Sequence, residues 1–245
     1  MSLFRRFLDL LYPPRCIICG AFLSEEVSAG ESPLACTGCV AGFTRVGSPQ
    51  CPVCGAPFRS GIAEDHVCEE CLRKRPFFER AGAPFVYEGE LMRAIHEFKY
   101  EGRSRMAGLL GPLMACFAEG WLGHGDRLVV MPVPLHPKRL RKRGFNQSLL
   151  LARHVADRLG GQVDFLSLRR TRDTTPQTGL TGDDRRRNVR RAFEVKDRKA
   201  VRRKRVVLVD DVATTGSTLN ECARVLRRAG CAEVYGLVLA RAAAP

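Results

Sequence analysis

Aromatic side chains are scarce in this chain of 245 residues: Phe, Tyr and Trp make up 7%, with one Trp and four Tyr. A protein that holds single-stranded nucleic acid chiefly by stacking bases needs more platforms than that, so any nucleic-acid role must lean on backbone contacts. Long apolar runs are missing as well. The opening MSLFRRFLDLLYPPRC places Leu3, Phe4, Phe7, Leu8 and Leu11 on one helical face, but Asp9 and two Pro interrupt it well short of signal-peptide or spanning length. This predicts a short amphipathic helix within residues 1–15, packed on the body of the protein or, as the alternative, docked on a membrane surface, with no membrane span and no export. Negative charge is the third shortage, with 26 Asp/Glu facing 40 Lys/Arg. Residues 1–90 hold 9 Lys/Arg against 11 Asp/Glu, whereas residues 91–245 hold 31 against 15. Two compositions imply two domains, and the basic one attracts phosphate-rich ligands, small or polymeric.

The first part is rich in cysteine. Eight of the eleven Cys fall in four pairs with two residues between partners: Cys16/Cys19, Cys36/Cys39, Cys51/Cys54 and Cys68/Cys71. Such a pair folds into a knuckle that aims both sulfurs at one point, and two knuckles complete a tetrahedral thiolate cage, so two Zn2+ sites are expected over residues 16–75. Spacings of 16, 11 and 13 residues between pairs suit consecutive pairing, 16/19 with 36/39 and 51/54 with 68/71, although interleaved pairing fits the same counts. All-Cys ligation leaves no open position, so the role is structural, a staple for a segment with few large apolar groups. Cys116, Cys222 and Cys231 stand alone and are expected as buried apolar thiols.

In the basic part, RVVLVDDVATTGSTLNECARVLRRAG (205–230) runs from apolar residues into two acids and then a Thr/Gly/Ser stretch. Val206–Val209 predict a strand buried on both faces, and Leu219, Cys222, Ala223, Leu226 and Ala229 predict a helix stopped by Gly230. Amides at the helix N-terminus, with Gly216 allowing close approach, suit a phosphate. Asp210 and Asp211, expected exposed where the strand emerges, suit sugar hydroxyls or the waters of a Mg2+ ion. The alternative is that both acids merely cap the helix.

Helices are predicted through Leu91, Ala94, Ile95 and Phe98, through Met106, Leu110, Leu113, Phe117 and Trp121, and through Phe145, Leu149, Ala152, Ala156 and Leu159. A strand at Leu128–Val133 leads into a basic loop, 134–147. Alternating strands and helices predict an α/β fold with a parallel sheet over residues 80–245. Its ligand site lies at the carboxyl ends of the strands, where the 134–147 and 210–218 loops share a cleft. The polar, Arg-rich stretch 168–193 reads as a flap over an anionic ligand or as a solvated basic loop.

VVLVDDVATTGST resembles the phosphoribosyl pyrophosphate (PRPP) motif of type I phosphoribosyltransferases. Together with RGFNQS (143–148), RTRDTTPQTGL (170–180), RRRNVRRAF (185–193) and the Cys pairs, it resembles the ComF family of bacterial competence and DNA utilisation, over nearly the whole chain. The resemblance implies a double zinc ribbon joined to a type I phosphoribosyltransferase-like domain. Asp210 and Asp211 would hold the ribose; Thr214, Thr215, Gly216, Ser217 and Thr218 would cradle the 5′-phosphate. Arg139, Arg143 and the Arg185–Arg187 run would serve the pyrophosphate side, Val212, Ala213, Asn146, Gln147, Gln177 and Asn188 would also bind the ligand, and Mg2+ would accompany PRPP. It also implies single-stranded DNA, a helicase-like partner and recombination mediators. Three functions fit: transfer of phosphoribosyl to an unidentified acceptor, backbone binding of single-stranded DNA by the same loops, and sensing of PRPP without turnover. No segment reads as a base-specific hood.

Overall fold

The computed structural model describes residues 12–23, 34–59, 64–100, 103–123, 128–174 and 182–244; most of the amphipathic stretch expected at 1–15, and Gln177, lie outside them. The N-terminal part holds two short helices, α1 (Thr37–Ala41) and α2 (Glu69–Arg73). The remainder runs β1 (Arg80–Gly82), β2 (Phe85–Val86), α3 (Gly89–Tyr100), α4 (Met106–Leu122), β3 (Leu128–Pro132), α5 (Pro137–Arg143) and α6 (Gln147–Leu159). Then follow β4 (Gln162–Val163), β5 (Leu168–Arg170), α7 (Gly182–Val189), β6 (Phe193–Val195), β7 (Arg205–Ala213), α8 (Ser217–Arg228) and β8 (Glu233–Arg241).

The main sheet is parallel throughout, in the order β1-β8-β7-β3-β4, with β2 also on β8. Helices cover both faces, and the alternation along β7 shows how. Val207 and Val209 join one apolar cluster with Leu91, Ile95 and Phe98 of α3, Leu110 and Met114 of α4, and Leu151 and Val155 of α6. Val206 and Leu208 join the other, with Leu219, Cys222 and Leu226 of α8. The continuous apolar reading of 206–209 was therefore a strand buried on both sides.

Several expectations are corrected. The strand does not end at the acids; β7 continues through both to Ala213, in register with Val238 at Asp210 and with Arg241 at Ala213. The basic stretch expected as a loop after Pro134 coils into α5, with Pro137 in its first turn and Gly144 in the left-handed region closing it. The 168–193 stretch is not one open loop: β5 and β6 pair antiparallel, Leu168 with Val195 and Arg170 with Phe193, and α7 lies between them. In α4, Met106 and Leu110 are fully buried as expected, but Leu113, Phe117 and Trp121 are only partly buried, and Leu109, Met114 and Ala118 lie as deep as Met106 and Leu110. That helix is apolar almost all round, so its periodicity does not single out a face. Cys222 and Cys231 are buried as expected, but Cys116 is exposed.

The ribbon segment docks on the edge of the sheet. Val46 N–H donates to Pro84 O and Val86 N–H to Thr44 O, while Ala81 N–H of β1 donates to Val53 O. Phe43 packs edge-on against Phe85. No helix among the described residues is long and apolar enough to cross a membrane.

Candidate functional site

The strand-to-helix turn after β7 is built for an anion. Gly216 is the N-cap of α8 with φ +71°, a conformation that strains any residue with a side chain, and it offers no side-chain cap; the Ser217 amide is met by Thr215 Oγ1 at 3.4 Å. A Cβ placed at Gly216 would meet nothing within 4 Å, so the space over the turn is open. Among the described residues, the amides of Thr214, Thr215 and Gly216 donate to no backbone carbonyl. Asp210, Val212 and residues 213–219 line a cup over these amides. The helix-cap reading of the acids is thereby set aside: both lie within β7, several residues before the cap.

The two acids part company because successive strand residues point to opposite faces. Asp210 is half-buried and lines the cup; its Oδ1 accepts from Ser148 Oγ at 2.9 Å and from the Asp211 amide at 2.9 Å. Asp211, expected exposed, is 3% exposed and faces α3, where Lys99 Nζ lies 3.0 Å from its Oδ1. Its Oδ2 is buried without a hydrogen-bond partner among the described residues. Burial raises the Asp210 carboxyl to about 7, and the neighbouring Asp211 charge adds to this against the opposing pull of Lys99. Burial works against the charge on Lys99, but Asp211 more than offsets it and the ammonium is held above its usual range.

The RGFNQS stretch meets this turn. Asn146 caps α6: its Oδ1 accepts from the Ser148 amide, and its Nδ2 donates to Val133 O at the end of β3. That cap aims Ser148 at Asp210. Gln147 is buried and its Oε1 accepts from Arg143 at 2.6 Å. Arg139 and Arg170 converge on Thr174, Arg139 donating to its carbonyl and Arg170 to its hydroxyl. Burial, and next the Arg139 charge, hold the Arg170 guanidinium below its usual range. Of the 185–187 run, Arg186 pairs with Glu70 of α2 and Arg187 lies 4.0 Å from Asp184. The Asn188 carbonyl accepts from Arg172.

The cysteines gather as two tetrads, Cys16/Cys19/Cys36/Cys39 and Cys51/Cys54/Cys68/Cys71, each with all sulfurs within 4.8 Å of one another. This resolves the pairing as consecutive. Cys19 and Cys36 sulfurs lie 3.8 Å apart and Cys54 and Cys68 sulfurs 3.7 Å apart, matching the edge of about 3.8 Å of a tetrahedron with Zn–S of about 2.3 Å. Amides donate to sulfur as they do around bound thiolates: Cys39 N–H to Cys36 Sγ, and Cys54 and Cys68 N–H to Cys51 Sγ. Gly55 holds φ +66° directly after the Cys51/Cys54 knuckle, and a Cβ there would come within 2.6 Å of Ala81 O, so glycine is required twice over.

Three residues escaped the sequence reading. Ser148 was visible in its motif but had no predicted partner. Lys99, at the end of an amphipathic helix, and Arg241, buried at the end of β8, were not singled out. None carries a local signal, because each acts through a partner distant in sequence.

The double zinc ribbon domain model matches residues 7–72, and the phosphoribosyl transferase domain model matches residues 146–245. The chain is 37% identical over 204 residues to the DNA utilization protein YhgH of Escherichia coli K12, covering 81% of this chain and 86% of that protein. It is 32% identical over 232 residues to competence protein F of Haemophilus influenzae, covering 93% and 97%. Among solved structures, the allosteric regulatory enzyme of purine biosynthesis aligns at 24% identity and a TM-score of 0.37, over 54% of this chain and 26% of that one. With its paired cysteine tetrads ahead of a parallel α/β domain, the chain belongs to the ComF family of competence and DNA-utilisation proteins, a double zinc ribbon joined to a phosphoribosyltransferase-like domain.

Proposed function

We propose that this protein binds a ribose 5-phosphate group, as carried by PRPP, in the cup formed by residues 210–219, and does so in the cytoplasmic handling of DNA. The observation that carries this reading is the turn itself: amides at 214–216 that donate to no backbone carbonyl among the described residues, a helix N-terminus behind them, and a single carboxylate, Asp210, at the rim. The amides and the α8 dipole suit the 5′-phosphate. Asp210, steadied by Ser148, accepts from a sugar hydroxyl. Asp211 supports from behind through Lys99 and does not face the sugar.

Mg2+ fits as a companion of the pyrophosphate: Asp210 is the carboxylate that would hold it, through water, and the ion would neutralise phosphate charge. Arg143 donates to Gln147, the residue next to Ser148 in the chain. Phosphoribosyl transfer is the chemistry such a site would support, and the names of the relatives support a setting in competence and DNA use.

Single-stranded DNA is the second ligand class, favoured by one feature. Arg141 and Lys142 on α5 are exposed and have no ion-pair partner among the described residues, at the same end of the sheet as the cup. Calorimetry with Mg–PRPP on zinc-loaded protein, repeated in the presence of single-stranded DNA, tests both. PRPP should bind, and Asp210→Asn should weaken it by at least about tenfold, roughly 1.4 kcal/mol. Equal affinity in the variant would remove Asp210 from the site.

A further inference from the structure

The second cysteine cage and the phosphate turn share one side chain. Arg241 ends β8, directly beside Ala213 in the sheet, and is 5% exposed. Its guanidinium divides its donors between two places. Toward the ribbon, Nε donates to Cys54 O at 3.1 Å and Nη2 approaches Cys54 Sγ at 3.5 Å. Toward the turn, Nη1 donates to Ala213 O at 3.0 Å and also to Thr214 O. The backbone of Arg241 is fixed as well, its carbonyl accepting from Tyr87 N–H at 2.8 Å.

Two physical consequences follow. A peptide unit is planar and trans, so its N–H points opposite to its C=O. The Ala213 carbonyl is shared with Ala242 N–H at 3.0 Å in the sheet, but by drawing the Thr214 carbonyl toward itself Arg241 turns the amide of Thr215 the other way, into the cup, where no backbone acceptor meets it among the described residues. At the other end, four thiolates carry more negative charge than one Zn2+ neutralises, and a buried guanidinium beside Cys54 offsets the excess. Arg241 is therefore held in place by a filled cage and in turn holds the turn in its anion-accepting shape.

We infer that the second ribbon site, Cys51/Cys54/Cys68/Cys71, is coupled to phosphate binding at residues 213–217 through Arg241, which acts as a positioning residue. The inference rests on the ribose-phosphate reading for its ligand. The first tetrad, Cys16/Cys19/Cys36/Cys39, has no such contact with the turn among the described residues and serves as an internal control. Coupling between sites is reciprocal, so a phosphate ligand must also stabilise the zinc of the second cage.

The test uses the full-length, zinc-loaded protein. A zinc-selective chelator is added with and without saturating Mg–PRPP, and released zinc is followed in time. One of the two ions should leave at least about tenfold more slowly with ligand bound, while the other leaves at an unchanged rate. Arg241→Lys, which keeps the charge but lacks the fork needed to span both partners, should abolish that protection and weaken Mg–PRPP binding while retaining both ions. Release of both ions indifferent to ligand, or protection surviving in Arg241→Lys, overturns the coupling. If Arg241→Lys does not fold, the parent protein decides alone. Should the parent bind no PRPP, the ribose-phosphate reading falls, and the coupling is then judged by hydrogen exchange. Stripping the second cage must speed exchange in a peptide covering 209–219, and unchanged exchange overturns it.

Discussion

Asp210 and Asp211 are adjacent and chemically identical, yet strand geometry gives them different work. Two acids after an apolar run were plain in the sequence. That one would face a ligand cup and the other a buried lysine was not, because the partner that decides it, Lys99, sits on a helix far away in the chain. Removing one member of a buried ion pair strands the other, at about 3–5 kcal/mol; Lys99 keeps some exposure, so Asp211→Asn should cost nearer about 3 kcal/mol. Urea unfolding should register this loss for Asp211→Asn and much less for Asp210→Asn, whereas calorimetry with PRPP should show the reverse order. Equal losses of stability would mean that the two carboxylates share one environment. Asp210 also predicts a pH dependence. Its carboxyl, raised to about 7 from 3.8, stabilises the folded protein fully below pH 3.8, and that contribution is lost as pH rises from 3.8 through 7. A hydroxyl-donating ligand prefers the ionised form, so PRPP affinity should climb from pH 6 to pH 8 beyond the ligand's own titration. Asp210→Asn should lose that component, and a profile unchanged in the variant would refute it.

At the level of elements, the sequence disclosed those whose signal is local. The faces of α3 and α8 were read correctly: Leu91, Ala94, Ile95 and Phe98, and likewise Leu219, Cys222 and Leu226, are all within 1% of complete burial. The helix α5 was missed because PKRLRKR has no apolar periodicity; what makes it a helix is His136 as N-cap, Pro137 in the first turn and Gly144 at the end. Coiling fixes which of its cations are free. Lys138 lies 3.7 Å from Asp173, Arg139 donates to Thr174 and Arg143 to Gln147, leaving Arg141 and Lys142 outward. Single-stranded DNA should therefore bind at low salt and release as salt rises, with a slope of about −0.7 for each phosphate neutralised. Arg141→Ser with Lys142→Ser should flatten that slope by about 1.4 units and weaken all sequences alike, because phosphate contacts carry no base information. An unaltered slope, measured by fluorescence anisotropy over a salt series, would move the DNA surface away from α5.

For the molecule as a whole, composition suggested two separate domains, an acidic ribbon part and a basic α/β part. The packing argues against such independence. Cys51, Cys54 and Ala56 belong to the same buried cluster as Met131, Leu208 and Leu219, and Cys16, Ile18 and Phe43 to the cluster on the other face with Ile95 and Leu110. The ribbon also supplies backbone acceptors to β1 and β2, and Arg186 of α7 pairs with Glu70 of α2. Sequence could not reveal this, since cysteine spacing specifies a cage and says nothing of what the cage rests on. Elemental analysis should find about two zinc ions per chain. Removing both should lower the midpoint of thermal unfolding of the entire protein as one transition. Loss of even about 3 kcal/mol of shared packing corresponds to roughly 6–12 °C in a chain of this size. Scanning calorimetry on zinc-loaded and stripped protein distinguishes the alternatives. If the stripped protein keeps a high-temperature transition at the original midpoint, the α/β part stands without its ribbons, and the shared clusters contribute contact but not cooperativity.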